Sequence, residues 1–252
     1  MVAAEHHAER AQQPSMSLRQ HAIAFLRELA VVVIGALIVS SLLRLFVGQM
    51  FDIPSASMSP TLEVGDRVLV EKISDVQRGQ VVVFHDPGGW LAHPPVEPGP
   101  VRAVFEQAGV LPPQSSDHVI KRVIGMPGDH VMCCDSRGHL AINGHPVDEG
   151  HLGQPASAIQ FSVVVPAGHV FVLGDNRARS SDSRCHLHDP GAIEGQNAFV
   201  PIDDIVGRAA AVTWPWERWH GLAPPEVYGE VPPAVGPAPE RPVIEAGAEA
   251  RC

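Results

Sequence analysis

An apolar run near the N-terminus constrains this chain more than any other feature. Residues 29–43 carry no charge, and the run continues past Arg44 to residue 47. A helix needs about 20 apolar residues to cross a bilayer. The extended run reaches that length if the Arg44 side chain directs its guanidinium toward one membrane interface. The sequence therefore predicts a helical membrane anchor over residues 22–47.

Two other interpretations of the run are weaker. A cleaved signal peptide needs a small-residue cleavage site directly after the apolar residues, and Ser40–Phe46 is a poor site of that kind. A buried core helix needs apolar surroundings on all sides, which no other part of the chain supplies. Three arginines and three glutamates precede the run, and Arg44 follows its uncharged part. The positive-inside rule thus leans toward an inside N-terminus and an extracytoplasmic remainder.

After the anchor the sequence changes to short runs rich in β-branched residues. Most are closed by Gly, Pro or Asp, and the whole chain has 24 Pro and 23 Gly, which is typical of a loop-rich β domain. We therefore predict a mainly β fold, a single transmembrane helix followed by an antiparallel β-sheet domain over 48–220. The predicted strands are Arg67–Lys72, Gln80–Phe84, His118–Ile124, Phe161–Val165, His169–Leu173 and Ile205–Thr213.

Three segments lack a strand pattern. Residues 1–21 are polar and are predicted to form a flexible tail. Residues 85–117 are rich in Pro and Gly and form an inserted excursion, with one short helix possible at 101–109. Residues 221–252 are Pro-, Ala-, Glu- and Gly-rich without periodicity, so we predict a disordered Pro-rich tail. The sequence does not indicate what the excursion or this tail does.

Charge and motifs exclude several functions. The formal net charge of −10 argues against a nucleic-acid binder. The chain has no Gly-x-Ser-x-Gly elbow, His-Glu-x-x-His helix, phosphate-binding loop or nucleotide fingerprint. The cysteines at 133, 134 and 185 and the nearby histidines fit no common zinc spacing. We expect neither a metal nor a cofactor.

A serine cluster follows the anchor directly. Ser55, Ser57 and Ser59 lie between two prolines within residues 51–66. Composition alone favours a linker. Apolar residues alternate with these serines, however, and a strand pattern begins at Arg67. The serines therefore lie where a membrane helix enters a folded domain.

Lys121 is a candidate partner for one of these serines. A serine hydroxyl is a weak nucleophile until a base removes its proton, and a buried lysine with a depressed pKa can be that base. Alternation along the strand places Lys121 on the face of Val119 and Val123. If that face is the core, the lysine is buried; the alternative is a solvent-facing edge lysine. The only other lysine, Lys72, stands beside an acidic residue at a strand end.

At this point the chain resembles a known family, the bacterial type I signal peptidases. The matching motifs follow the family's order from about residue 25 to residue 215, which makes chance similarity very unlikely as an explanation. The motifs are Pro54–Leu62 with Gly65–Asp66, Arg78–Phe84, Ile120–Asp129, Gly174–Arg184 and Phe199–Ala209.

The resemblance implies roles for individual residues. Ser57 would be the nucleophile and Lys121 the general base. The Ser57 backbone N–H and the Ser55 hydroxyl would form the oxyanion hole. The supporting residues implied are Ser180, which orients the lysine, and Asp182 with Arg184, a structural ion pair. This chain departs from the family at residues 178–179, where Ala and Arg replace the Asp and Asn of many members.

The implied function is a membrane-bound serine endopeptidase that removes signal peptides at small-x-small sites. Its partners would be precursor proteins and membrane lipid, without nucleic acid, and the enzyme would be a monomer in the cell membrane with an extracytoplasmic catalytic domain. Which precursors it cleaves is not encoded in any motif. Two alternatives remain, a self-cleaving Ser/Lys peptidase and a catalytically silent, membrane-tethered binding module.

An extracytoplasmic location also makes a disulfide possible. A bond between the adjacent Cys133 and Cys134 would close a strained ring, so we expect one of them to pair with Cys185. Free thiols remain an equal alternative, and Cys252 lies in the predicted tail.

Overall fold

The computed structural model describes residues 18–46, 48–91, 99–100, 103, 117–191 and 193–247. One α-helix precedes a series of short strands and 3-10 helices in these residues. The prediction of a mainly β fold with one N-terminal helix is confirmed.

The helix α1 extends over Leu18–Phe46 and has 29 residues. At 1.5 Å per residue it is about 43 Å long, more than the ~30 Å of a bilayer's hydrocarbon core. Residues Arg19–Leu42 have a mean hydropathy of 2.4, and none of them is buried against the rest of the protein. The helix begins inside the predicted 1–21 tail, of which residues 1–17 lie outside the described part. By length and composition, α1 is able to cross a membrane.

The strands form two sheets in which every pairing is antiparallel. The larger sheet has the order β1-β2-β11-β3-β4-β9-β10 with β12 beside β11, and the smaller has the order β13-β8-β5-β6-β7. The strands are β1 Gly48–Asp52, β2 Arg67–Glu71, β3 Val81–His85, β4 His118–Gly125, β5 His130–Cys133, β6 Leu140–Ile142, β7 His145–Val147, β8 Phe161–Val164, β9 His169–Leu173, β10 Val200–Pro201, β11 Ile205–Trp214, β12 His220–Gly221 and β13 Val243–Gly247.

Strand β4 lies inside the larger sheet and is covered on both faces. Ile120 belongs to an apolar cluster on one face, and Val119 and Val123 belong to a cluster on the other. Because both faces are packed, Lys121 and Arg122 are both buried although alternation points them in opposite directions. Two cationic side chains are thereby held in the interior, where they need polar partners.

The prediction of a disordered tail over 221–252 is wrong for the described part of that segment. Residues 221–247 are not a disordered tail, because β13 pairs with β8, with Val243 opposite Val164. Tyr228 and Val231 are buried in the apolar cluster shared with the smaller sheet. A few apolar anchors suffice here because prolines restrict the unfolded chain and so reduce the entropy lost on ordering. Residues 248–252 lie outside the described part.

The cysteine prediction is also wrong. Cys133 and Cys134 are joined to each other, with their Cα atoms 3.0 Å apart, so neither sulfur is available to Cys185. Adjacency along the chain already brings the two sulfurs together, without any tertiary contact. Most of the 85–117 excursion, including the possible helix at 101–109 apart from residue 103, lies outside the described residues.

Candidate active site

The serine cluster lies on a fixed turn and not on a linker. Ser57 is the middle residue of a 3-10 helix, Ala56–Met58, in the connection between β1 and β2. Met58, the last residue of this turn, and Leu62, four positions later, have side chains that are fully buried in an apolar cluster. Burial of two large side chains contributes about 1.5–3 kcal/mol each. Ile53, which precedes Ser57, is buried in the same cluster, so the turn is anchored to the core on both sides of Ser57.

Ser57 and Lys121 meet in the interior. The Lys121 Nζ atom lies 2.9 Å from Ser57 Oγ. The exposed fraction is 8% for Ser57 and 4% for Lys121, which confirms the predicted burial of the lysine. The Ser55 hydroxyl, on the exposed side, donates to Ser57 Oγ at 3.2 Å. Residues 64 positions apart in sequence thus form a hydrogen-bonded nucleophile and base geometry.

The surroundings favour the neutral form of the lysine. Burial lowers the pKa of Lys121 from 10.5 to about 8, against the charges of Asp182 and Asp175, which raise it. The positive charge of Arg184 lowers it further. Desolvation thus outweighs the two carboxylates. With a pKa of about 8, roughly one lysine in ten is neutral at pH 7 and can accept a proton.

Asp182 and Arg184 form the ion pair that the resemblance implies. Arg184 donates from Nε and from Nη2 to the two carboxylate oxygens, both at 2.8 Å. Burial raises the pKa of Asp182, but the Arg184 charge and hydrogen bonds lower it more, and the net pKa is below its ordinary value. Asp182 also accepts from the Gly174 backbone N–H at 3.0 Å. The pair fixes the loop that follows β9.

Ser180 is close to the site but does not make the bond expected of it. Its buried Oγ has no hydrogen-bond partner among the described residues, so the expected hydrogen bond to Lys121 is absent there. The loop after β9 packs closely against Ser57 because residue 174 is a glycine. A Cβ built on Gly174 would lie 2.1 Å from Ser180 Oγ and 2.6 Å from the Ser57 carbonyl oxygen. Only glycine allows this approach.

Two further sets of contacts hold the turn Ala56–Met58, called the nucleophile turn below, and the sequence did not predict them. Arg122 pairs with Asp175 at 2.7 Å and 2.5 Å, and Thr61 donates to the same carboxylate at 2.5 Å. Asn176 donates its backbone N–H to the Ser57 carbonyl at 3.0 Å, and its side chain donates to the carbonyl of the preceding residue at 3.0 Å. The signal available in the sequence was the charged pair Lys121-Arg122 inside an otherwise apolar strand.

A small apolar cavity opens beside the turn. It has a volume of about 20 Å³, which is room for little more than one water molecule or a methyl group. Its lining comes from the end of β1 and the residues before Ser55, and from the facing parts of β3 and β4. These residues are Phe51, Asp52, Ile53, Pro54, Val83, His118, Val119 and Ile120.

One group of described side chains has the composition of a metal site. His85, Asp117 and His118 place their candidate ligand atoms within 4.8 Å of one another. Asp117 lies 2.6 Å from the His118 ring and 3.6 Å from the His85 ring, so carboxylate–imidazole pairing accounts for the cluster. It shares His118 with the cavity lining but includes neither Ser57 nor Lys121.

Comparison with known proteins identifies the family of this chain. The family model described as signal peptidase, peptidase S26, matches residues 26–214. A probable signal peptidase I of Mycobacterium leprae is 34% identical over 77% of this chain and 77% of that protein. Signal peptidase I of Leptolyngbya laminosa is 38% identical over 77% of this chain and 83% of that protein.

A crystal structure of a signal peptidase I from Enterococcus faecalis V583 is 25% identical and covers 54% of this chain and 98% of that one. Its TM-score against this chain is 0.34. The family match spans three quarters of the chain and contains both Ser57 and Lys121. This chain therefore belongs to the signal peptidase family, peptidase S26.

Proposed function

We propose that this protein is a membrane-bound serine endopeptidase that removes signal peptides from precursor proteins, with Ser57 as nucleophile and Lys121 as general base. The observation that carries the proposal is the buried contact of 2.9 Å between Lys121 Nζ and Ser57 Oγ. A lysine serves as a base only when it is neutral, and burial lowers the pKa of Lys121 to about 8.

The geometry supports an acyl-enzyme mechanism. Neutral Lys121 accepts the proton of Ser57 as Oγ attacks the scissile carbonyl carbon, and the carbonyl oxygen becomes an oxyanion. The lysine then gives that proton to the leaving amine as the C–N bond breaks, which leaves an ester on Ser57. The amine that has left is the mature protein. A water molecule, deprotonated by Lys121, then attacks the ester, and Ser57 Oγ recovers that proton from the lysine as the signal peptide leaves with a free carboxylate.

The oxyanion would be stabilised from the nucleophile turn. The Ser57 N–H belongs to the first turn of a 3-10 helix, so it has no acceptor within that helix. The exposed Ser55 hydroxyl is 3.2 Å from Ser57 Oγ, and rotation about its Cα–Cβ bond would direct it to the oxyanion as a second donor. Loss of one such donor costs about 10²–10³ in kcat in serine peptidases.

Asp182, Arg184 and Ser180 would support this site without touching the substrate. The Asp182–Arg184 pair holds the loop after β9 against the dyad of Ser57 and Lys121. The Ser180 hydroxyl is buried beside Gly174 and Ser57. A change of rotamer there would allow it to accept from Lys121, as the family resemblance implies.

The small cavity favours the proposed substrate class. An extended precursor segment lying between the end of β1 and β4 would pair with backbone groups as an added strand. A volume of about 20 Å³ is room for about one water-sized group. Such a cavity would favour a small side chain such as alanine and so supports cleavage after small-x-small sequences.

The membrane placement rests on two observations. Helix α1 is long and apolar enough to cross a bilayer, and we propose that it does so once, with the catalytic domain on the extracytoplasmic side. Three tryptophans near the end of β11 are more than half exposed, namely Trp214, Trp216 and Trp219. Exposed tryptophans are typical of the membrane–water interface, so these side chains would contact lipid. We propose a monomer without nucleic-acid partners.

The deciding experiment is cleavage of a precursor with an Ala-x-Ala site by the purified full chain in detergent. We expect Ser57→Ala and Lys121→Ala to abolish cleavage while the circular dichroism spectrum is retained, and Lys72→Ala to cleave normally. Activity in either dyad variant would overturn the assignment. Cleavage confined to the enzyme's own chain would favour a self-cleaving peptidase.

A folded wild type that cleaves nothing, and whose Ser57 resists a serine-directed acylating probe, would favour the binding module. The topology is tested separately by protease protection in sealed inner-membrane vesicles. The catalytic domain should resist digestion in inside-out vesicles and be digested in right-side-out ones.

A further inference from the structure

In the segment that follows the family match, the side chain of Tyr228 packs near the candidate active site. Tyr228 is 2% exposed and follows the last matched residue, 214, by fourteen positions. Its ring lies against Gly79, because a Cβ built on Gly79 would be 2.7 Å from the ring. The Gly79 carbonyl accepts from Arg122 Nη1 at 2.6 Å, so Tyr228 packs beside the Arg122–Asp175 pair.

The Tyr228 hydroxyl has a charged acceptor. It donates to Glu149 Oε1, the same oxygen that accepts from Arg177 Nη2 at 2.5 Å. The other oxygen, Oε2, is buried and has no hydrogen-bond partner among the described residues. Glu149 is 5% exposed. Its carboxylate thus depends on two donors, and loss of either one is costly in a dry interior.

Arg177 connects Glu149 to the loop 174–184 by hydrogen bonds. Its Nε donates to the Gly174 carbonyl at 2.9 Å and its Nη1 donates to the Ala156 carbonyl at 2.6 Å. The Arg177 carbonyl in turn accepts from Arg184 Nη2 at 3.0 Å. Gly174 packs closely against the Ser57 carbonyl oxygen. Arg184 donates to the Asp182 carboxylate.

We infer that Tyr228 and Glu149 are positioning residues, through which the C-terminal segment 222–247 holds the loop 174–184 against the dyad. The inference rests on the proposed function, since positioning matters only if Ser57 and Lys121 perform catalysis. Neither side chain contacts the reacting atoms; both act through Arg177. The C-terminal segment is then a part of the catalytic apparatus that lies beyond the family's matched residues.

The geometry explains why one hydroxyl matters. Arg177 is buried with three of its donors fixed at short distances, so its position follows that of Glu149. Glu149 is fixed on its other side by Tyr228. The burial and the nearby Glu149 charge raise the pKa of Tyr228 well above its ordinary value, so the hydroxyl remains a donor throughout the pH range of an assay.

The test uses Tyr228→Phe and Glu149→Gln in the full chain. Tyr228→Phe removes one oxygen and retains the ring that packs on Gly79. We expect kcat for precursor cleavage to fall about tenfold, the effect of losing one hydrogen bond to a charged group, with KM changing less than about twofold. The matched control is Glu230→Gln, an exposed residue of the same segment, which should leave both constants unchanged.

A double variant tests whether the two residues act together. If they act through one hydrogen bond, Tyr228→Phe with Glu149→Gln should be no slower than the slower single variant. Additive losses would overturn the inference, and so would a Tyr228→Phe variant with the wild-type kcat.

A readout without activity separates this inference from the proposed function. Amide hydrogen exchange in residues 174–184 should accelerate about tenfold in Tyr228→Phe, with no change in β5. Exchange that stays at the wild-type rate would refute the positioning role even in an active enzyme. If the wild type cleaves no precursor but exchange accelerates, the proposed function fails while the structural coupling stands.

Discussion

Cleavage by this protein should depend on pH through the charge of Lys121. Burial lowers the pKa of this lysine from 10.5 to about 8, although Asp182 and Asp175 oppose the shift. Only the neutral amine accepts the Ser57 proton, so the rate should rise as pH increases through about 8. When kcat/KM is plotted against pH, the rising part of the profile reports the pKa of Lys121 in the free enzyme.

The magnitude follows from the titration curve. With a pKa of about 8, roughly one lysine in ten is neutral at pH 7 and roughly nine in ten at pH 9, so kcat/KM should increase about tenfold between them. A lysine with an unshifted pKa would instead give an increase of about a hundredfold over the same range, without a plateau. The shape of this rising part therefore distinguishes a buried base from an exposed one.

The assay measures initial rates of precursor cleavage by the full chain in detergent micelles from pH 6 to pH 10. Lys72→Arg is the matched control, and its profile should superimpose on that of the wild type. Lys121→Arg should be inactive at every pH, because a guanidinium is not deprotonated in a protein. A flat profile between pH 7 and pH 9, or an active Lys121→Arg, would refute Lys121 as the base.

Three substitutions test the surroundings of the dyad. Lys121→Met should raise the free energy of unfolding at pH 7 by up to about 3 kcal/mol, because the native pKa lies ~2.5 units below that of an unfolded lysine. Gly174→Ala should lower kcat by about a hundredfold or more, since its Cβ would lie 2.6 Å from the Ser57 carbonyl oxygen. Asp175→Asn should lower the free energy of unfolding by about 3–5 kcal/mol, because it leaves the buried Arg122 charge without its partner.

The stability gain of Lys121→Met should depend on pH. For Lys121→Met, the unfolded state binds more protons than the native state between pH 8 and pH 10.5, so the wild type gains stability as pH rises. The difference from the variant should shrink there, and a constant difference would contradict the pKa argument. Thermal melts in detergent provide the measurement.

The other two controls are surface substitutions. Gly221→Ala, whose Cβ would meet only a carbonyl oxygen at 4.0 Å, should retain full activity in the assay used for Gly174→Ala. Asp52→Asn breaks a half-exposed pair with Arg67 and should change stability by less than about 1 kcal/mol. An Asp175→Asn variant as stable as Asp52→Asn would show that the buried pair adds nothing.

Much of the architecture was predictable from local patterns. The anchor followed from the length of one uncharged run, and the strands of the larger sheet at 67–71, 81–85 and 205–214 followed from β-branched runs closed by turn residues. Ser57 and Lys121 could be singled out because a motif's order and spacing are properties of the chain itself. Lys121 is one of only two lysines, at a position where the proposed mechanism needs a base that loses its proton.

Local patterns failed where a contact joins distant residues. The C-terminal segment was assigned to disorder because its composition lacks periodicity, yet Tyr228 meets a carboxylate 79 positions earlier. Composition does not reveal that a single aromatic ring has a place in the core. Ring strain makes a bridge from Cys133 or Cys134 to Cys185 the more plausible pairing from sequence, and only the folded structure shows the two adjacent residues joined.

The sequence by itself determined the order of the apolar helix, the serine turn and the lysine strand, because hydrophobic length and strand alternation depend on neighbouring residues. Only the tertiary structure decided that β4 is packed on both faces, which buries Lys121 and Arg122 together. It also decided which carboxylates face them. Desolvation and charge depend on surroundings assembled from strands and loops more than fifty positions apart, and those surroundings set the pKa of the lysine.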